Sequence, residues 1–223
     1  MTEADTAAAG GCGLHDYDMQ ARDGRFSVAG IDEAGRGPLA GPLVASAVVL
    51  PAAARPRASV GGRTVAADDS KRLSDAARRG LCPAIMEAAL SVGIGWVGNA
   101  ELDRVGMAAA VRLAFARAWA RLSPAPDLVL VDGLAVDGLP FRGRFLVRGD
   151  SRSLSIACAS VVAKVTRDDY MIRMDRRFPE YGFASHKGYG TSGHLRSLRS
   201  HGPCPIHRRS FAPLRDSQLE LEL

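Results

Sequence analysis

Asp32 and Glu33 close the apolar run Val28-Ala29-Gly30-Ile31 and run at once into Ala34-Gly35-Arg36-Gly37-Pro38. Asp132 closes Leu128-Val129-Leu130-Val131, and Asp150 follows Phe145-Leu146-Val147-Arg148-Gly149. A carboxylate is strongly disfavoured in an apolar interior without a cation or water, so acids at the ends of apolar strands mark an open, cation-bearing edge. Oxygen-only ligands of this kind suit magnesium or manganese better than zinc. Each acid also has a plainer reading. An acid pair at a strand end caps a turn, Asp132 before Gly133 fits a turn, and Asp150 suits the start of a helix. Neighbours in a regular strand point to opposite faces, so Asp32 and Glu33 meet at one site only if the chain bends there. Gly35 and Gly37 supply such a bend. Asp32 is read as the central metal ligand, and Glu33 as a ligand through its side chain or its carbonyl.

The elements that must position these acids follow from the pattern. Residues 26–31 and 43–50 read as neighbouring strands, 92–97, 128–131 and 144–147 as further strands. Residues 51–62, rich in proline and glycine, read as a loop. Ser74 is placed to cap a helix from Asp75 to about Leu90; a second helix spans 101–122, a long one runs from Ser153 to about Phe178, and a shorter one covers 192–201. Early strands followed by alternating helices and strands imply an α/β fold with a sheet of mixed direction. Residues 1–24 are small and polar and read as a disordered tail, 25–215 as one catalytic domain whose C-terminal part is helical from about 153, and 216–223 as an acidic tail.

The segment Gly30-Ile31-Asp32-Glu33-Ala34-Gly35-Arg36-Gly37-Pro38-Leu39-Ala40-Gly41-Pro42 resembles the opening motif of the bacterial type 2 ribonucleases H (ribonuclease HII). Further matches follow in that family's order: Asp69-Ser70-Lys71-Arg72-Leu73-Ser74, Val131-Asp132-Gly133, Gly149-Asp150 leading into Ser155 to Ser160, Ala163-Lys164-Val165-Thr166-Arg167-Asp168, His186-Lys187-Gly188-Tyr189-Gly190-Thr191 and Ile206-His207-Arg208-Arg209-Ser210-Phe211. The match covers about residues 26 to 215; Cys158 departs from the family's alanine, and 91–104 fit loosely. The resemblance implies a ribonuclease H-like, mixed five-stranded sheet flanked by helices with a helical C-terminal region. It implies an endonuclease that cuts the RNA strand of RNA–DNA hybrids and single ribonucleotides in duplex DNA on their 5′ side, leaving 3′-hydroxyl and 5′-phosphate ends. It further implies that Asp32, Glu33, Asp132 and Asp150 hold two divalent ions, Mg2+ or Mn2+, and serve ribonucleotide removal from DNA.

Beside that resemblance, Gly35-Arg36-Gly37 is the expected sugar reader, because glycines let backbone amides approach a 2′-hydroxyl. Gly35, Gly37 and Gly41 lack the spacing of a dinucleotide-binding loop. Tyr189, between two glycines, is the residue that in the family stacks on the sugar beside the ribonucleotide. Ser70, Lys71, Lys164 and Lys187 are candidate phosphate contacts, with plain surface roles as the alternative. His186 and His207 have no carboxylate or cysteine at ligand spacing and read as structural or substrate-proximal.

Composition bounds the rest. A hydrophobic share of 47% with 24% charged residues is that of a globular chain, and no apolar run is long enough to cross a membrane, which points to a cytoplasmic protein. Cys12, Cys82, Cys158 and Cys204 are too scattered for a CxxC pair and read as reduced thiols. Residues 142–215 hold 15 Lys+Arg against 5 Asp+Glu, a basic third suited to gripping polyphosphate beside an acidic cluster. A solvated helical face is the alternative. The chain ends Gln218-Leu219-Glu220-Leu221-Glu222-Leu223, in which Gln218, Leu219, Leu221 and Leu223 resemble the short peptides that dock bacterial repair proteins on the sliding clamp; an ordinary acidic tail or a strand on the chain's own sheet are the alternatives.

Overall fold

The structure is a computed structural model and describes residues 13–24, 27–67 and 73–215. Five strands, β1 (Val28–Ala34), β2 (Leu43–Leu50), β5 (Ser91–Val97), β6 (Leu128–Asp132) and β7 (Gly143–Leu146), form one sheet in the order β5-β2-β1-β6-β7. β1 pairs antiparallel with β2, and β2 with β5, while β6 and β7 run parallel to β1. The direction is therefore mixed, as the order of apolar runs predicts. Parallel pairing carries the C-terminal ends of β1 and β6 to one edge, so Asp32 and Asp132 arrive there together.

Helices cover both faces. On one, α3 (Asn99–Val105) and α4 (Met107–Trp119) pack Leu102, Val111 and Phe115 on Ile31, Leu43 and Val131. On the other, α2 (Asp75–Ala88) and the long α5 (Leu154–Arg177) pack Leu81, Ile85, Ala157 and Val161 on Val48 and Leu50. Glycines set the distance. A Cβ on Gly30 would lie 2.1 Å from the carbonyl carbon of Ser155 in α5, and one on Gly93 or Gly95 would lie 2.0 Å from a carbonyl oxygen of α4. Helix backbone therefore rests directly on strand backbone at these points, closer than any side chain permits.

Local chemistry starts the helices. The hydroxyls of Ser74, Ser153 and Thr191 accept from the amides of Ala77, Ile156 and His194, capping α2, α5 and α7 (Ser192–His201). With α6 (Phe183–His186), the end of α5 and α7 bury Tyr181, Phe183, Leu198 and Ile206 against Leu39 and Met171, the helical C-terminal region that the sequence implies.

Several expectations are corrected. The segment read as part of a disordered tail contains α1 (Leu14–Arg22), whose buried Asp18 accepts from Ser153 Oγ at 2.6 Å and Ser155 N at 2.8 Å. It is a helix of only 9 residues, held by the start of α5. The loop expected over 51–62 includes β3 (Arg57–Val60), which pairs with β4 (Arg63–Ala66) through Gly61-Gly62, both at positive φ. The single helix expected over 101–122 is two, broken at Gly106, whose φ of +78° a helix does not allow. Residues 1–12, Ser70, Lys71 and the tail 216–223 lie outside the described residues.

Candidate active site

A cleft of about 390 Å³ opens at the edge where β1 and β6 end. It is lined by Asp32, Glu33, Asp132 and Asp150, by Gly35, Arg36 and Gly37, and by Ser160, Lys164, Arg78 and Tyr189. All four acids of the sequence reading thus meet in one place, with the expected sugar reader and the aromatic beside them. Lys187 does not line it: its ammonium donates to the carbonyl of Ala184.

The acid pair meets without a bend. β1 keeps regular register through Asp32↔Ser46, Glu33↔Ala45 and Ala34↔Val44, and the turn comes later, at Gly35 with φ +103°. Asp32 points toward α5, where Ser160 donates to it; Glu33 lies on the α4 side and takes Arg36 Nη1 at 3.2 Å. Both reach the cleft because it sits across the strand's end rather than on one face. Asp132 accepts Gly149 N at 2.5 Å, which ties the end of β6 to the short 3-10 turn Gly149–Ser151 carrying the buried Asp150.

The electrostatics are those of anions crowded together. Burial, then Glu33 and Asp132, hold the Asp32 carboxyl well above the usual carboxylate range. Burial also raises Glu33, with the Arg36 guanidinium opposing and Asp132 adding. Lys164 is partly committed, its ammonium 2.8 Å from the buried Asp168. Oxygen-only donors that repel one another fit hard divalent cations. Among the described residues no three acidic, histidine or cysteine side chains close on one point as a finished cage. The carboxylates instead line an open cleft, an arrangement that ions and a substrate phosphate would complete together.

Two buried arginines, given no role by the sequence reading, shape the loops. Arg208 donates to Gly41 O (2.9 Å), Arg36 O (3.1 Å) and Gly35 O (2.6 Å). Arg167 donates to Pro42 O, Lys187 O and Ala40 O, each at 3.0 Å. Burial lowers the Arg208 guanidinium to about 9, so it stays charged at neutral pH. In a trans peptide the N–H opposes the C=O. Pulling the carbonyls of Gly35 and Arg36 inward therefore turns the amides of Arg36 and Gly37 outward, where a sugar hydroxyl can meet them. A Cβ on Gly37 would lie 3.7 Å from Tyr189 Cε1, so the loop and the ring, which is 45% exposed, face each other. Both arginines stood inside quoted motifs, but no local pattern distinguishes a buried guanidinium from the many exposed ones. Ser160 and Arg78 were missed for the same want of a signal.

A mixed sheet in this order, with an acid pair at the end of its central strand and a second acid on the neighbouring parallel strand, defines the ribonuclease H-like class of fold. Residues 29–214 match the family model for ribonuclease HII. A ribonuclease HII of Geobacillus thermodenitrificans is 50% identical over 191 residues, 85% of this chain and 70% of that one. The crystal structure of the ribonuclease H2 from Pyrococcus horikoshii superposes with a TM-score of 0.71 at 24% identity, over 88% of this chain and 99% of that one. The ribonuclease HII of Archaeoglobus fulgidus, solved in complex with PCNA, gives 0.63 at 24% identity over 81% and 93%. The chain belongs to the ribonuclease HII family.

Proposed function

We propose that this chain is a divalent-metal-dependent endoribonuclease that hydrolyses the RNA strand of RNA–DNA hybrids and cuts 5′ of single ribonucleotides embedded in duplex DNA. The products are 3′-hydroxyl and 5′-phosphate ends, and the biological setting is ribonucleotide removal from DNA. The observation that carries this reading is the meeting of four carboxylates, the Gly35–Gly37 loop and Tyr189 in one cleft. Asp32, Glu33, Asp132 and Asp150 would hold two Mg2+ or Mn2+ ions. When bound, such ions activate a water and stabilise the leaving 3′-oxygen.

The chain's own residues do the rest. Outward amides of Arg36 and Gly37 select the 2′-hydroxyl, and the Tyr189 ring supports the adjoining sugar. Lys164 and the exposed guanidinium of Arg36 neutralise phosphate, with Ser70 and Lys71 proposed as further contacts. Another two-metal nuclease on the same core would need no such sugar reader. The test is cleavage of a DNA duplex bearing one ribonucleotide, compared with an all-DNA duplex, in magnesium, in manganese and in chelator. Cutting of the all-DNA strand, or undiminished cutting in chelator, defeats the proposal. Tyr189→Ala is expected to lower cleavage at the single ribonucleotide about 10-fold or more with an unchanged melting temperature, since base or sugar stacking contributes ~1–3 kcal/mol.

A second part concerns delivery. The C-terminal Gln218-Leu219-Glu220-Leu221-Glu222-Leu223 is proposed to dock on the sliding clamp, supported by its spacing of apolar anchors and by the archaeal relative solved with PCNA. Anisotropy of a labelled 215–223 peptide against purified clamp tests it. Absence of saturation, or equal binding by a Gln218→Ala, Leu221→Ala peptide, refutes it.

A further inference from the structure

Three histidines of the C-terminal region lie outside the chemistry described so far, and their partners fix each tautomer in turn. The amide of Cys204, 3.0 Å from His207 Nδ1, can only donate, so that nitrogen is an acceptor and the ring proton sits on Nε2. The carbonyl and sulfur of Cys204 lie near the same nitrogen, at 3.3 and 3.1 Å, and the amide is the shortest contact. His207 Nε2 faces His194 Nε2 at 2.9 Å. His194 therefore accepts there and carries its own proton on Nδ1, which points at the carbonyl of Tyr189, 2.9 Å away. Two Nε2 atoms 2.9 Å apart leave no room for an ion between them, so the pair is a hydrogen-bonded chain and not a metal site.

The surroundings keep the chain in place. Both rings are buried, and burial pushes both histidines down, His207 to about 4, so neither is charged at neutral pH. His186 stacks on His194 with centroids 4.5 Å apart, accepts from Gly188 N at 3.2 Å and donates to Tyr181 O at 2.8 Å. Thr191 N gives the Tyr189 carbonyl its second bond at 2.8 Å. The backbone that carries the exposed ring is thus gripped from behind by imidazoles.

We propose that His194 is a positioning residue for Tyr189, and that His207 sets the tautomer His194 needs to do so. The chain runs from the Cys204 amide through His207 and His194 to the Tyr189 carbonyl, and it fixes the backbone from which the ring reaches the cleft. The inference rests on the reading of Tyr189 as the sugar platform.

An asparagine amide nitrogen falls where imidazole Nδ1 sits, and a glutamine nitrogen where Nε2 sits. His194→Asn therefore keeps a donor for Tyr189, and His194→Gln loses it. With a duplex carrying one ribonucleotide, His194→Gln is expected to lower kcat/KM by about 10-fold, His194→Asn to recover most of that, and His194→Gln to add little loss in a Tyr189→Ala background, the signature of two residues acting as one unit. Equal losses from Gln and Asn, or a fully additive double mutant, overturn the inference. A Tyr189→Ala protein that cuts normally instead overturns the sugar-platform reading. A measurement on the parent protein stands apart from how the variants fold: long-range 1H–15N spectra at neutral pH should show His194 protonated on Nδ1 and His207 on Nε2. The opposite tautomers, or a charged ring, overturn the proposal.

Discussion

At the residue scale, position on the sheet decides what an acid does. Asp132 ends β6 beside β1, accepts the Gly149 amide at 2.5 Å and raises the carboxyls of both Asp32 and Glu33. Asp132→Asn keeps the shape and that amide bond but removes a charge that the proposed ions would need. It is expected to lower turnover at least ~10²-fold with hybrid affinity little changed. Single-turnover rates beside filter-binding affinities check this, and near-normal turnover in magnesium removes Asp132 from the site. The acids were legible in the sequence because an apolar run ending in Asp is a local pattern. Arg208 and Arg167 were not legible, since their partners are six carbonyls distant in the chain. Lys187, equally prominent in its motif, turns out to serve the backbone of Ala184 rather than the cleft.

Among the elements, the contact between β1 and α5 carries the most consequence. Gly30 lets the Ser155 backbone rest on the strand, and the same helix brings Ser160 to Asp32 and Lys164 to the cleft wall. Gly30→Ala forces the two backbones apart. The expected loss is about 3 kcal/mol or more, read from urea midpoints, because the clash is with main chain that cannot rotate away. Turnover should fall as well, even at temperatures where the variant is folded. A Gly30→Ala protein of parental stability would mean that the helix can slide. Long elements such as α5, expected from Ser153 to about Phe178, and α2, with its Ser74 cap, were predictable from sequence. The small ones were not: α1 depends on Asp18 meeting the start of α5, and the Gly106 break depends on a turn between α3 and α4 that hydrophobic spacing does not show.

For the whole molecule, the buried histidines give stability a direction with pH. His207 titrates near 4 when folded and near 6.5 when unfolded, so the unfolded chain takes up the proton first as pH falls. Its contribution is complete above about pH 6.5 and declines toward pH 4, by about 2 kcal/mol at pH 5. Asp32 and Glu33 act with the opposite sign, because raised carboxyls favour the folded state as they protonate. The difference between the parent and His207→Gln isolates the histidine. The gap in urea midpoint should shrink between pH 7.5 and pH 5, and a constant gap would contradict the neutral buried ring. Among the described residues no helix is long and apolar enough to cross a membrane.

The bonds from Arg208 to Gly35 and Arg36 span most of the 223-residue chain, with sequence separations of 173 and 172 residues. During synthesis from the N-terminus, all four carboxylates leave the ribosome well before that guanidinium does. A nascent chain can thus gather its acids while the loop proposed to distinguish ribose from deoxyribose still lacks its inner support. On the proposed reading, selectivity matures after the acids have gathered. A truncated chain ending at Cys204 is expected to bind Mn2+ measurably by calorimetry, yet to have lost its preference for a ribonucleotide-bearing duplex. Retained preference would show that the loop shapes itself.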